Sequence, residues 1–395
     1  MYLWFLEFKK MFLRTGMLLL VLALLVVNAG KININGNLDP KALESQVHWG
    51  DSDIARAEQQ FSGRITEENM RLLLNGYQQW ITMMRGEGQS SAEAMIYYQL
   101  YPHYAYLYDY HFSNAETLRQ AEENISFFIA VGNEYDAAVN HLYTALYAER
   151  YISDYYNSED FAILFEYDFS TLLLFLSALI GSAAIFWKER QDGTYDLLQT
   201  SIYGKKRMVS IKLSVYFVWL FCVAAMLYTE DVIAHSILYH LEGWTNPVYA
   251  VESYRFSTFS GSIWEYVICS AALRLLAVME AGACFALITL LFKGNILPIS
   301  LNLLVFFGWL ILSEQVTEIS LYGFLNPVAV MKPRTYTEQF TVVNLLGEPV
   351  SGAVGACIVT ALMLVLLLIL ITVCWHCKMG WQRPHRRKGS RYAEK

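Results

Sequence analysis

Six long apolar runs, separated by polar stretches of very unequal length, organise this chain. They span roughly Phe12–Ala29, Ile163–Trp187, Met208–Tyr228, Ile263–Phe292, Ile296–Ser313 and Gly352–His376. Each is close to the ~20 residues that a helix needs to cross about 30 Å of hydrocarbon. The fourth is longer than the core requires, which predicts tilting or a protruding end. The pattern predicts an all-α polytopic membrane protein of six transmembrane helices. Composition agrees, because only 16% of the residues are charged against about 25% in soluble proteins.

Four regions follow from the runs: an interfacial helix with the first span (1–30), a large polar insert (31–160), a five-span body (161–377) and a basic tail (378–395). The aromatic stretch Tyr2–Phe12 reads as an interfacial helix leading into a retained span. The same region, with Lys9, Lys10 and Arg14 ahead of Met17–Val27, also suits a secretory signal peptide, whose removal would leave five spans. Retention is the expectation adopted.

Charge sets the orientation. The N-terminus, the loop Lys188–Lys212, the turn at Lys293 and the tail hold 3, 6, 1 and 7 Lys or Arg. The short loops near Thr229–Gly261 and Glu314–Ser351 hold only Arg255, Lys332 and Arg334. By the positive-inside bias this predicts a multi-pass cell-membrane protein with both termini cytoplasmic.

The insert is then an extracytoplasmic domain. Its net charge is −11 against +4 for the remainder, and it carries 14 of the 27 tyrosines. Helices are predicted over Thr66–Met84, Asn114–Val131 (capped at Ser113-Asn114) and Tyr135–Ile152, with Gly86-Glu87-Gly88 as a break and Asn33–Pro40 as an irregular entry. Tyrosines such as Tyr104, Tyr106 and Tyr110 serve best as core, the ring buried and the hydroxyl bonded. An aromatic recognition surface is the alternative.

The loop between the second and third spans is the strongest functional signal. Glu189, Arg190, Asp192 and Gln199 offer polar contacts to a cytosolic partner, while Tyr195, Leu197, Leu198 and Ile202 offer an apolar face to the membrane surface. Gly193 permits a tight turn out of the descending span. Within the spans, Arg274 and Glu280 are costly charges. Six residues apart is about 600° of helix, so they point to different faces. Glu166 and Asp168, at the start of the second span, are assigned no role. Cys374 and Cys377 form a CxxC read as packing rather than as a metal or redox pair.

Glu189, Gly193-Thr194, Leu197-Leu198 and Lys205-Lys206-Arg207 followed by Lys212 resemble the loop of type-2 ABC exporter permeases, in their Gram-positive bacterial branch. Trp244-Thr-Asn-Pro247 through Tyr254, Glu265-Tyr266, Leu325-Asn-Pro327 and Asn344–Pro349 are similar to the same family. The resemblance implies a coupling helix over 189–207 seated on a separate ATPase subunit. It also implies a second permease, identical or paralogous, and alternating access in the bilayer. It implies no cofactor bound directly, with ATP and Mg acting through the partner ATPase. A hydrophobic or amphipathic peptide, lipid or drug-like molecule would be the cargo.

Several chemistries are missing from the chain. It has no GxxxxGK[ST], no HExxH and no GxSxG, so neither nucleotide cradling nor hydrolysis by these motifs is expected. An intramembrane enzyme is therefore the weakest reading. The competing class is a membrane receptor whose acidic, Tyr-rich ectodomain binds an extracellular ligand. The basic tail suits anionic headgroups rather than nucleic acid.

Overall fold

The computed structural model describes residues 2–38, 52–86, 92–186, 204–292, 296–315, 320 and 323–381. It is mostly helical and holds six helices long and apolar enough to cross a membrane. An amphipathic helix α1 (Tyr2–Phe12) precedes α2 (Thr15–Leu38), the first apolar helix. The insert contributes α3 (Ser52–Phe61), α4 (Glu67–Met84), α5 (Ala92–Ala130) and α6 (Glu134–Tyr147). A short α7 (Phe161–Glu166) leads into α8 (Phe169–Phe186), followed by α9 (Gly204–Tyr239), α10 (Ile263–Leu291) and α11 (Ile296–Gln315). Two four-residue helices, α12 (Pro327–Val330) and α13 (Arg334–Thr337), precede the last apolar helix, α14 (Gly352–Trp381).

Helices α8, α9 and α10 bury half or more of their apolar windows, whereas α2, α11 and α14 bury less than a quarter. The first three are therefore the centre of the bundle. Tyr216 joins them one helical turn beyond Lys212. Its ring, fully buried on α9, sits against Gly181 of α8 and Gly282 of α10, and its hydroxyl donates to the Ala178 carbonyl at 2.6 Å. A Cβ at either glycine would fall 2.9 Å or less from the Tyr216 side chain. Small residues thus admit one large aromatic, the usual means of close helix approach where lipid offers no hydrophobic drive.

Several expected boundaries move. The helix α2 runs to Leu38, over the described part of the predicted irregular entry, and α9 continues eleven residues beyond Tyr228. The second run is broken at Tyr167, whose extended backbone (φ −80°, ψ 107°) separates α7 from α8. In the insert, Asn114 starts no helix, since α5 is continuous through it. Its amide is buried and donates to the Tyr147 carbonyl at 2.9 Å, while Ser113 and Thr117 bond back to carbonyls of the preceding turn. The polar atoms that looked like a cap are committed elsewhere. The predicted start at Thr66 holds, with its hydroxyl accepting from the Asn69 N–H at 3.2 Å. Gly88 lies outside the described residues.

The insert does not have a core to itself. Tyr104, Tyr110 and Tyr155 are buried with Phe61, Leu73, Leu100 and Leu107, and Tyr249 and Ala250 from the α9–α10 loop complete the cluster. Tyr106 donates to the Tyr249 carbonyl at 2.6 Å, and the Tyr110 and Tyr249 rings stack at 5.1 Å. Arg150 lies over the Tyr147 ring at 3.7 Å and donates to the Ser257 carbonyl at 2.6 Å. Burial pushes the Tyr106 and Tyr147 phenols well up, so both are protonated donors at neutral pH. Strands β1 (Gly63–Arg64) and β2 (Asp154–Tyr155) pair antiparallel and close the two ends of this region. A second hairpin, β3 (Val342–Leu345) with β4 (Glu348–Ser351), turns at Leu346-Gly347, both at positive φ, and enters α14 directly.

Gly282→Ala is expected to cost about 1–3 kcal/mol through overpacking, read as thermal unfolding in detergent. Adding Tyr216→Phe, which removes the facing oxygen, is expected to recover part of that loss. Strict additivity of the two would refute the wedge.

Candidate functional site

Two polar clusters lie at opposite ends of α9. Lys212 and Asp231 are 19 residues apart, which is about 28 Å along a helix and close to the thickness of a bilayer core.

At the α9 start, Lys212 is only 1% exposed. Its ammonium donates to Glu7 Oε2 of α1 at 3.1 Å and to the Ile185 carbonyl near the end of α8 at 2.9 Å. Glu7 also accepts from Lys10 at 2.7 Å. Trp4 of the same helix donates to Ser214 Oγ at 3.0 Å, and Met11 enters the bundle core. One buried cation therefore fastens three elements where α8 leaves the bundle and α9 enters it. Burial draws the Glu7 carboxyl upward, but the Lys212 and Lys10 ammonium groups together outweigh it and hold the group below its ordinary 4.5. The predicted coupling residues Glu189, Arg190, Asp192, Gly193, Thr194, Tyr195, Leu197, Leu198 and Gln199 lie outside the described residues, as does the side chain of Lys205.

At the other end, the break at Tyr167 frees backbone carbonyls inside the bundle. Arg274 of α10 donates to the Tyr167 carbonyl at 2.8 Å and pairs with Asp168 Oδ1 at 2.8 Å. Tyr167 donates to Asn28 Oδ1 of α2 at 2.8 Å. The Asn28 amide donates in turn to Asp231 Oδ1 at 2.7 Å and Glu230 Oε2 at 3.0 Å on α9. His235 Nδ1 lies 2.7 Å from the Asp231 carbonyl, with its ring against Tyr167. Helices α2, α8, α9 and α10 are joined here by one continuous polar chain. The expectation that Glu166 and Asp168 have no role is revised, because Asp168 neutralises Arg274 and Glu166 pairs with Arg334 at 2.9 Å. Asp168 is partly buried at the helix break, whereas Glu166 stays exposed in its pair with Arg334.

Arg274 and Glu280 do not meet, as their rotation predicted. Glu280 is 3% exposed, and its Oε2 finds no partner among the described residues. Thr360 on the adjoining α14 is likewise buried with an unpartnered hydroxyl. Sequence reasoning passed over Asn28, Asp231 and Lys212 as constituents of a site. Asn28 and Asp231 are polar residues at the ends of apolar runs, a signal that was visible. Among the described residues no cluster of His, Cys, Asp and Glu could hold a metal ion.

Compared with known proteins, the chain matches no family model, no curated protein and no solved structure.

Lys212→Met is expected to destabilise by about 3 kcal/mol, because the buried Glu7 carboxylate loses its buried partner and keeps only the largely exposed Lys10. Combining it with Glu7→Gln should restore much of the loss in a detergent melting assay. Since Glu7 is held low in the folded chain, its contribution is complete above about pH 4.5 and is lost as pH falls through the lower folded value. Cysteine cross-linking of α1 to α9 across that range would read the release.

Proposed function

We propose that this chain is the membrane-spanning permease subunit of an ATP-driven ABC exporter, with both termini and the α8–α9 loop in the cytoplasm and the insert on the outer side. The observation that carries the reading is the buried Lys212 clamp. A loop able to receive force must be fixed to the spans it drives, or the displacement dissipates in local bending. Lys212 and Glu7 lock the Ile185 end of α8, the start of α9 and the interfacial α1 into one unit at the base of that loop. The loop itself is basic and amphipathic, and it resembles the coupling segment of type-2 ABC permeases.

In this reading a separate ATPase subunit, using ATP and Mg, pushes on the 189–207 segment. A second permease, identical or paralogous, completes the translocation route. The tyrosine-rich extracytoplasmic domain gates the exit or recognises cargo through its shared core with the α9–α10 loop. The shared core also favours the receptor reading, because a ligand on the insert would act directly on Tyr249 and so on the spans. An output module attached to the inner side would distinguish it.

Replacing Leu197 and Leu198 together by Asp is expected to abolish co-purification of an ATPase with the full chain in mild detergent. Retention of an ATPase by this variant at the wild-type ratio would refute the docking role. An outward-facing label reaching a cysteine at Tyr195 in intact cells would invert the orientation.

A further inference from the structure

Beneath the break at Tyr167 a pocket opens between α7, α9 and α10, lined by Phe165, Tyr228, Tyr266, Ser270, Asp231 and Arg274 among others. Its water-accessible volume is about 40 Å³, room for about two to three water molecules. Ser270, Ala271, Val232 and Val267 along it are only half-buried. Beside them Ile233 and Ile268 stand about half exposed, at 53% and 50%, on the bundle perimeter. The opening thus faces the side of the bundle that apolar surroundings would cover.

The charges lining this pocket are unevenly met. Arg274 is already opposed by Asp168. Asp231, 4% exposed, receives the neutral Asn28 amide, and among the described residues no cation lies within ion-pairing distance of it. A buried carboxylate without a counter-ion is costly. The Arg274 Nε–H is also buried and finds no acceptor among the described residues, another cost that calls for an explanation. Three phenol rings, Tyr167, Tyr228 and Tyr266, complete the lining and suit a cation near their faces. One unmet anion, one unmet donor and an apolar approach define a single kind of ligand.

We propose that this pocket binds the primary ammonium end of a membrane-soluble amphiphile. The ammonium pairs with the Asp231 carboxylate, and an oxygen nearby in the ligand accepts from Arg274 Nε. The apolar remainder lies along Ile233 and Ile268. The small volume selects –NH₃⁺ over a trimethylammonium group. An aminophospholipid headgroup offers all of this chemistry, and a free alkylammonium its ammonium and apolar parts alone. The inference deepens the exporter reading by naming a cargo class and rests on it only for movement across the bilayer; binding is measured alone.

The test uses the full chain in two settings, each read by native mass spectrometry. In nanodiscs of equal phosphatidylethanolamine and phosphatidylcholine, preferential retention of the ethanolamine lipid marks a lipid ligand. In phosphatidylcholine nanodiscs supplied with dodecylammonium, retention of that amine without the lipid preference marks a free amphiphile. Either result supports the site when Asp231→Asn lowers it by about tenfold, the factor supplied by about 1.4 kcal/mol of pairing. Ser270→Trp fills the pocket without touching a charge and is expected to give the same loss at an unchanged melting temperature, which settles the matter should Asp231→Asn misfold. No retention in either setting, or retention unaltered by Ser270→Trp, overturns the proposal. An ATPase that still co-purifies in that case leaves the exporter reading standing, so the two failures are distinct.

Discussion

A lysine ammonium excluded from water in an apolar bundle must find compensation, and the fold arranges itself around that requirement. Lys212 finds it in a carboxylate from one helix and a carbonyl from another. The interaction matters less for its net free energy, since buried ion pairs seldom repay their desolvation in full, than for what it forbids. The helix α1 cannot leave without stranding a charge, and the end of α8 cannot leave without taking an acceptor from the buried ammonium. A helix of eleven residues such as α1 is too short to be stable alone, so its place on the bundle depends on this contact with Trp4 and Met11 beside it.

The same constraint operates on a larger scale at the other end. Arg274 is deep enough to need both Asp168 and a free carbonyl, and an unbroken α7–α8 helix would have used that carbonyl internally. The break at Tyr167 therefore accompanies the arginine as the source of its second acceptor. Asn28 then bridges Tyr167 to the acidic pair on α9, bringing the otherwise peripheral α2 into the network. Between the two polar ends the contacts are steric, with Tyr216 held by two glycines.

How much of this the sequence discloses depends on the range of the interaction. Apolar run length is local, so all six long helices were legible and the limits of α10 fell within one residue of expectation. The helix start at Thr66, read from its own neighbourhood, was legible for the same reason. Asn114 looked identical on local grounds and was misread, because its amide is taken by Tyr147, 33 residues away. The break at Tyr167 carries no glycine or proline and was invisible; only Arg274, 107 residues later, gives it a cause. Of the candidate site, Arg274 and Glu280 were recognised as charges out of place. Their partners were not, since pairing across helices leaves no periodic trace in one chain.

What relates the two polar ends mechanically is α9. It runs from Gly204 to Tyr239 without proline and with no glycine after its first residue, so none of the usual causes of a kink is present. Lys212, Tyr216, Leu220, Val223, Leu227, Asp231 and His235 are all buried along it, and their spacing of three or four residues places them on one face. A single stripe thus carries the clamp, the Tyr216 wedge and the acid of the pocket. A displacement entering at the Lys212 end cannot be absorbed within such a helix. It arrives at Asp231 as a shift or rotation of the pocket wall against α10, which the Arg274–Asp168 pair holds to α8. Relative movement of those two walls would alter the distance between the unmet carboxylate and the unmet guanidinium N–H, the quantity on which affinity for a ligand touching both must depend.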